Sequence, residues 1–110
     1  RCFTWIDEVA QAIADYSFIE KTDNETYNLG NAEPISMRVL AEKIIDVAAN
    51  EYRLFPSYYP LYETIGEYQN DVKVRIPDVE KAEKELGWKA KIKVEESIRW
   101  CLAHFLKENS

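Results

Sequence analysis

Between residues 36 and 52 the apolar positions recur with the period of a helix. Met37, Leu40, Ala41, Ile44, Ile45 and Ala48 fall on one stripe, which predicts an amphipathic helix. Ser36 stands where an N-cap oxygen is wanted, and Ile35 is placed to staple onto Leu40. A second helix is predicted after a short strand-like alternation at the start of the chain. Trp5, Val9, Ala12, Ile13 and Tyr16 form its stripe, with Asp7 and Glu8 at the end where the helix dipole favours carboxylates. The stretch VEKAEKEL is marked at both ends: Asp78 precedes it as a cap, and Gly87 with Trp88 beyond it forms a Schellman-type stop. The last helix, VEESIRWCLAHFLKEN, carries Val94, Ile98, Cys101, Leu102, Phe105 and Leu106 on one face, with Trp100 and His104 off it.

The remaining segments read differently. YNLGN, residues 27 to 31, predicts a brief strand ending in a turn at Gly30 and Asn31, both tolerant of positive φ. VKVRIP, residues 72 to 77, alternates and predicts a strand that Pro77 ends. Between them, residues 53 to 70 mix two prolines, four tyrosines and a glycine, which predicts an irregular segment with one short strand. Long irregular segments in compact domains are often functional. No internal repeat is visible. The expectation is therefore one mixed α/β domain over residues 1–110, with about four helices and short strands.

Composition narrows the function classes. At 110 residues the chain is one domain's worth, able to bury about two thirds of its unfolded surface. Its formal net charge of -6 argues against nucleic acid, whose binding rests on clustered Lys and Arg. No apolar run approaches the length of a membrane span. Cys2 and Cys101 lie near opposite ends without a CxxC pair or a histidine cluster, so they read as reduced packing cysteines of a cytoplasmic protein and no metal site is expected. The opening RCFTWIDEVA has neither an initiator methionine nor a leader pattern, and reads as part of something longer.

Candidate chemistry centres on Arg75. A planar guanidinium keeps its charge and can hold a phosphate or carboxylate through two parallel hydrogen bonds. The alternative is a surface arginine paired with Asp71, Asp78 or Glu80. Tyr58, Tyr59, Tyr62 and Tyr68 could offer faces to a base or sugar, or could cover the core under the irregular segment. Trp100 and His104, one turn apart, could pack on another lobe or subunit, although a lone histidine without a carboxylate or cysteine at matching spacing reads as a solvated helix residue. There is no glycine-rich phosphate loop, GxSxG, HExxH or Tyr-x-x-x-Lys pair, so no cofactor-binding residue is assigned.

The order of four stretches, RCFTWIDEVAQAI, YNLGN, ISMRVLAEKI and RIPDVEKAEKELGWKAKIKVEESI, resembles the C-terminal substrate-binding part of the extended short-chain dehydrogenases/reductases, the nucleotide-sugar epimerases, dehydratases and decarboxylases. RCFT and GEYQNDVKVRIPD look most like the UDP-glucuronic acid decarboxylases. The resemblance implies the substrate lobe of a Rossmann-type enzyme without its dinucleotide-binding lobe. It implies that Arg1 contacts the nucleotide diphosphate, that Tyr68 contacts the nucleotide, and that Arg75 is catalytic. Proton donation by Arg75 is chemically unfavourable because guanidinium has a pKa above about 12, so stabilising developing negative charge is the easier role. The family pattern is not fully kept: Tyr68 and Arg75 are one residue further apart, and Glu8 stands where aspartate is usual. The same resemblance implies NAD in the complete enzyme, a UDP-sugar or other NDP-sugar as ligand, the missing Rossmann lobe as partner, a homo-oligomer, and no nucleic acid or membrane contact. This chain alone would be inactive. The alternative is a standalone remnant serving as a weak nucleotide-binding or protein-interaction module.

Overall fold

Ser36 caps as its position predicts, its Oγ accepting the Val39 N–H at 3.1 Å. In the computed structural model, which describes residues 1–110 apart from the Thr64 side chain, that cap opens the longest helix. In chain order the elements are α1 (Ile6–Tyr16), a 3-10 turn (Glu20–Thr22), α2 (Met37–Tyr52), α3 (Leu61–Ile65), α4 (Glu80–Leu86) and α5 (Val94–Glu108). The stop of α4 also forms as read: Gly87 is left-handed at φ 68, its N–H donates to Glu83 O at 3.0 Å, and the Trp88 N–H donates to Ala82 O at 3.3 Å. The left-handed glycine ends the helix, and both N–H groups still reach carbonyls of its last turns.

The α/β expectation is overturned, because no strand forms among the described residues. YNLGN, VKVRIP, the opening alternation and the segment over 53–70 all lack a ladder partner, and α3 occupies part of the last. Alternation describes faces, but a strand needs a neighbour and a covered apolar side. Val72, Val74 and Ile76, whose spacing suggested the strand, are 41%, 68% and 49% exposed. Backbone groups that a ladder would use go instead to side chains: the Arg1 guanidinium donates to Val72 O, Asn28 Nδ2 to Asp78 O at 3.2 Å, and the Asn31 N–H to Thr4 Oγ1 at 2.8 Å. A trace of pairing survives where Arg1 and Ile35 exchange main-chain hydrogen bonds at 2.8 Å in both directions. One such pair does not make a sheet.

The chain splits into two compact units. One comprises residues 2–34 and 76–94, with α1 and α4. Ala12 and Ala82 are buried in it; Tyr16 donates to Leu86 O at 3.3 Å and Tyr27 to Glu85 Oε1 at 3.1 Å. Gly30 is required by close approach, since a Cβ there would lie 3.4 Å from Thr4 Oγ1 and 3.5 Å from Pro77 Cγ. Buried Asn31 beside it is satisfied, donating to Phe3 O at 3.2 Å and accepting the Glu33 N–H at 3.0 Å. From the first turn of α1, Glu8 Oε1 accepts the N–H groups of Lys91 at 2.6 Å and Ile92 at 3.2 Å. Its Oε2 is buried without a hydrogen-bond partner among the described residues.

The other unit comprises Arg1, residues 35–75 and residues 95–110. Val47 and Ala48 of α2 and Ile98 of α5 are its buried apolar side chains. Lys43 pairs with Glu95, and Arg99 Nε donates to Glu51 at 2.5 Å, so ion pairs accompany a thin core. The predicted stripes are only partly covered. Met37 is 60% exposed and Phe105 60% exposed, and Cys101 is also exposed. No large side chain is wholly buried among the described residues.

Removing the acceptor of two main-chain donors should be measurable. Glu8→Ala is expected to lower the unfolding free energy by about 1–3 kcal/mol, and Glu8→Gln, which keeps an acceptor oxygen, to recover most of the loss in urea denaturation.

Candidate functional site

Within the second unit, the chain brings Arg1 and Asp71 together across seventy positions. Arg1 Nη2 donates to Asp71 Oδ1 at 2.9 Å, and its Nη1 reaches the neighbouring Val72 carbonyl. The other carboxylate oxygen of Asp71 accepts the Tyr62 hydroxyl. Tyr62 is supplied by α3, and its ring meets Tyr68 edge-to-face, 5.5 Å between centroids and 86° between planes. The Tyr68 carbonyl in turn accepts the Asp71 N–H at 3.3 Å. Two of the three predicted site residues, Arg1 and Tyr68, therefore share one cluster with Asp71 at its hub.

The electrostatics of this cluster are those of a lock. Hydrogen bonding from Tyr62, with the Arg1 charge beside it, holds the Asp71 carboxyl below the usual carboxylate range. The same bond, with partial desolvation and the Asp71 charge, pushes the Tyr62 hydroxyl up to about 12. A tyrosine moved in that direction keeps its proton and is a poor acid. Arg1 offers an anion one face at most, because Asp71 already neutralises it.

Arg75 lies differently. It is exposed, and among the described residues no hydrogen bond or ion pair holds its guanidinium. The pairing with Asp71, Asp78 or Glu80 that the sequence allowed does not occur, because each carboxylate has other work: Asp71 binds Arg1, Asp78 accepts the Glu80 N–H at 3.1 Å, and Glu80 pairs with Lys84 at 2.5 Å. The chain has five arginines. Arg1, Arg38 and Arg99 are ion-paired, and Arg53 closes α2 in the left-handed region at φ 55, where a cation suits the helix dipole. Arg75 has no such structural task.

Sequence reasoning missed the pairing of Tyr62 with Asp71. They are nine positions apart with no helical or strand register between them, and no local signal announces the contact. It also missed a polar cavity of about 460 Å³ in the first unit, lined by Thr26, Asn28, Asp78, Lys81, Lys84 and Glu85 among others. There Lys81 donates to Glu25 at 2.5 Å and to Thr26 O at 3.0 Å and stands 4.7 Å above the Tyr27 ring. The Glu25 hydrogen bond holds the Lys81 ammonium above its ordinary value. Partial desolvation and then Glu85 push the Tyr27 hydroxyl up. Neither group is activated for proton transfer. His104 is exposed, and the described residues contain no cluster of three or more His, Cys, Asp or Glu side chains able to hold a metal ion.

The pH dependence of the lock has two signs. Asp71, held low in the folded chain, adds stability that is present above the ordinary carboxylate range and is lost as pH falls through its lowered value. Tyr62, held high, adds stability that is present below pH 10 and is lost as pH climbs toward about 12. Ultraviolet titration should resolve a tyrosine ionising near about 12, and Tyr62→Phe should remove that phase and return the Asp71 carboxyl toward its ordinary value.

Comparison with curated proteins finds relatives. An uncharacterized protein of Methanocaldococcus jannaschii is 30% identical over 105 residues, a match that covers 92% of this chain and 28% of the relative. The chain thus spans little more than a quarter of that protein's length. No protein-family model matches, and no solved structure matches. The resemblance to an extended short-chain dehydrogenase/reductase domain, with the epimerase, lyase and isomerase classes attached to it, receives no support from these comparisons, and the all-helical architecture conflicts with it. No described helix is long and apolar enough to cross a membrane.

Proposed function

We propose that this chain is a helical substrate-holding lobe for a nucleoside-diphosphate sugar, working with an NAD-bearing part of a larger enzyme. The observation that carries the reading is Arg75: an exposed guanidinium without hydrogen bond or ion pair, whose candidate acidic partners are all engaged elsewhere. A cation left in that condition is ready for an anion from outside.

Arg1 and Tyr68 support the reading as neighbours in one cluster. Asp71 keeps Arg1 oriented, so its contribution to a diphosphate would be a hydrogen bond rather than a free charge. Tyr68, 59% exposed, has a face available for a base or ribose. In catalysis Arg75 would stabilise negative charge developing on the sugar.

The residues here do not fit NAD itself. A dinucleotide loop needs glycines that open a helix, whereas Gly66 and Gly87 close α3 and α4 and Gly30 is packed against Thr4 and Pro77. NAD therefore belongs to another part of the enzyme in this reading. Cytoplasmic placement belongs to the same reading, since Cys2 and Cys101 are both free and reducing compartments keep thiols so.

A second reading, a protein-interaction module, is favoured by a separate observation: Phe18, Phe55 and Tyr59 are 94%, 81% and 87% exposed, more than isolated surface residues need. Calorimetric titration with UDP, UDP-glucuronate and NAD separates the two. The substrate-lobe reading expects UDP and UDP-glucuronate to bind and NAD not to, with Arg75→Ala weakening UDP by about tenfold or more. Equal UDP affinity in Arg75→Ala, or no UDP binding, would overturn it.

A further inference from the structure

Two donors converge on the Asp71 carboxylate from separate parts of the second unit. Arg1 Nη2 donates to one oxygen at 2.9 Å and the Tyr62 hydroxyl donates to the other, while the Lys73 charge adds a positive field from two residues on. A guanidinium and a phenol aimed at one carboxylate make an oxyanion site, and here the chain supplies the occupant itself. The frame does not depend on that occupant. Arg1 Nη1 donates separately to Val72 O, the Arg1 main chain pairs with Ile35, and the Tyr62 ring is set against Tyr68. The carboxylate can also leave. Side-chain exposures of 35% for Arg1 and 26% for Asp71 keep both within reach of solvent, and rotation about the Asp71 side-chain bonds withdraws the carboxylate without moving the backbone.

We infer that Asp71 is a specificity-determining residue, an internal competitor that reserves the Arg1–Tyr62 site for phosphate groups and keeps monoanions out. A carboxylate tethered beside its partners acts at an effective concentration on the order of millimolar, so a free monocarboxylate gains nothing by replacing it. A phosphate group brings roughly two charges and three acceptor oxygens, holds both donors at once and displaces the carboxylate. Before displacement Arg1 offers a ligand one hydrogen bond; afterwards its whole charge is available. The inference rests on the substrate-lobe reading and deepens it by naming what the ligand must carry at its Arg1 end. Arg75 has no part in it.

The test titrates inorganic pyrophosphate and acetate into the intact chain carrying isotope-labelled aspartate. Pyrophosphate should bind and move the Asp71 carboxyl resonance, and acetate should do neither. Asp71→Ala should bind pyrophosphate at least about tenfold tighter and admit acetate, with circular dichroism unchanged. Asp71→Asn, which keeps an acceptor oxygen without the charge, should fall between. Both gains should vanish when Arg1→Gln is added and persist when Arg75→Ala is added. An Asp71 resonance unmoved by pyrophosphate, acetate binding to the unaltered chain, or no Arg1-dependent gain in either Asp71 variant would overturn the inference. UDP binding with an unmoved Asp71 resonance would sink this inference alone, whereas an Arg1-dependent gain for pyrophosphate in a chain that does not bind UDP would sink the substrate-lobe reading alone.

Discussion

An irregular backbone that has no neighbouring strand must find its hydrogen-bond partners among side chains, and this constraint shapes both units. Unpaired main-chain groups are expensive to bury. Here they are met by Thr4, Asn28 and Asn31 around the turn at Gly30, by Glu8 at the 91–92 loop, and by Arg1 at Val72. Each of these side chains is polar, reaches across many positions of sequence, and fixes a loop where a ladder would otherwise be needed. The thin apolar core makes them matter more, since the wholly buried positions Ala12 and Ala82 are small.

That division explains what could be read in advance. The helices were legible because their signals are local. Ser36 binds an N–H three residues on, and Gly87 and Trp88 satisfy carbonyls within the last turns of α4. The strands were misread for the same reason. Alternation in VKVRIP is local too, but a sheet depends on a distant neighbour and a covering layer, and neither is encoded in six residues. Stripe assignments failed where burial depends on tertiary context: Met37 and Phe105 hold helical register yet stay exposed, while Val47, outside the expected stripe, is buried.

For the candidate site, the sequence nominated residues but not their arrangement. Arg1, Tyr68 and Arg75 could be singled out by type and by resemblance, whereas the hub that joins the first two, Asp71, became visible only in three dimensions. Its carboxylate assigns contrasting electrostatic conditions to two arginines. Arg1 is matched and oriented, and Arg75 is left without an internal counter-charge. A matched cation is held in place by its partner, whereas an unmatched one keeps its full field.

The thiols show a further contrast in accessibility. Cys101 faces outward from α5 while Cys2 is half-covered, so a maleimide reagent would meet the former more readily. That asymmetry offers a natural attachment point for a fluorophore or spin label on the last helix without engineering. It also means that chains handled without reductant would join first through that sulfur, giving linked pairs that have nothing to do with any native association.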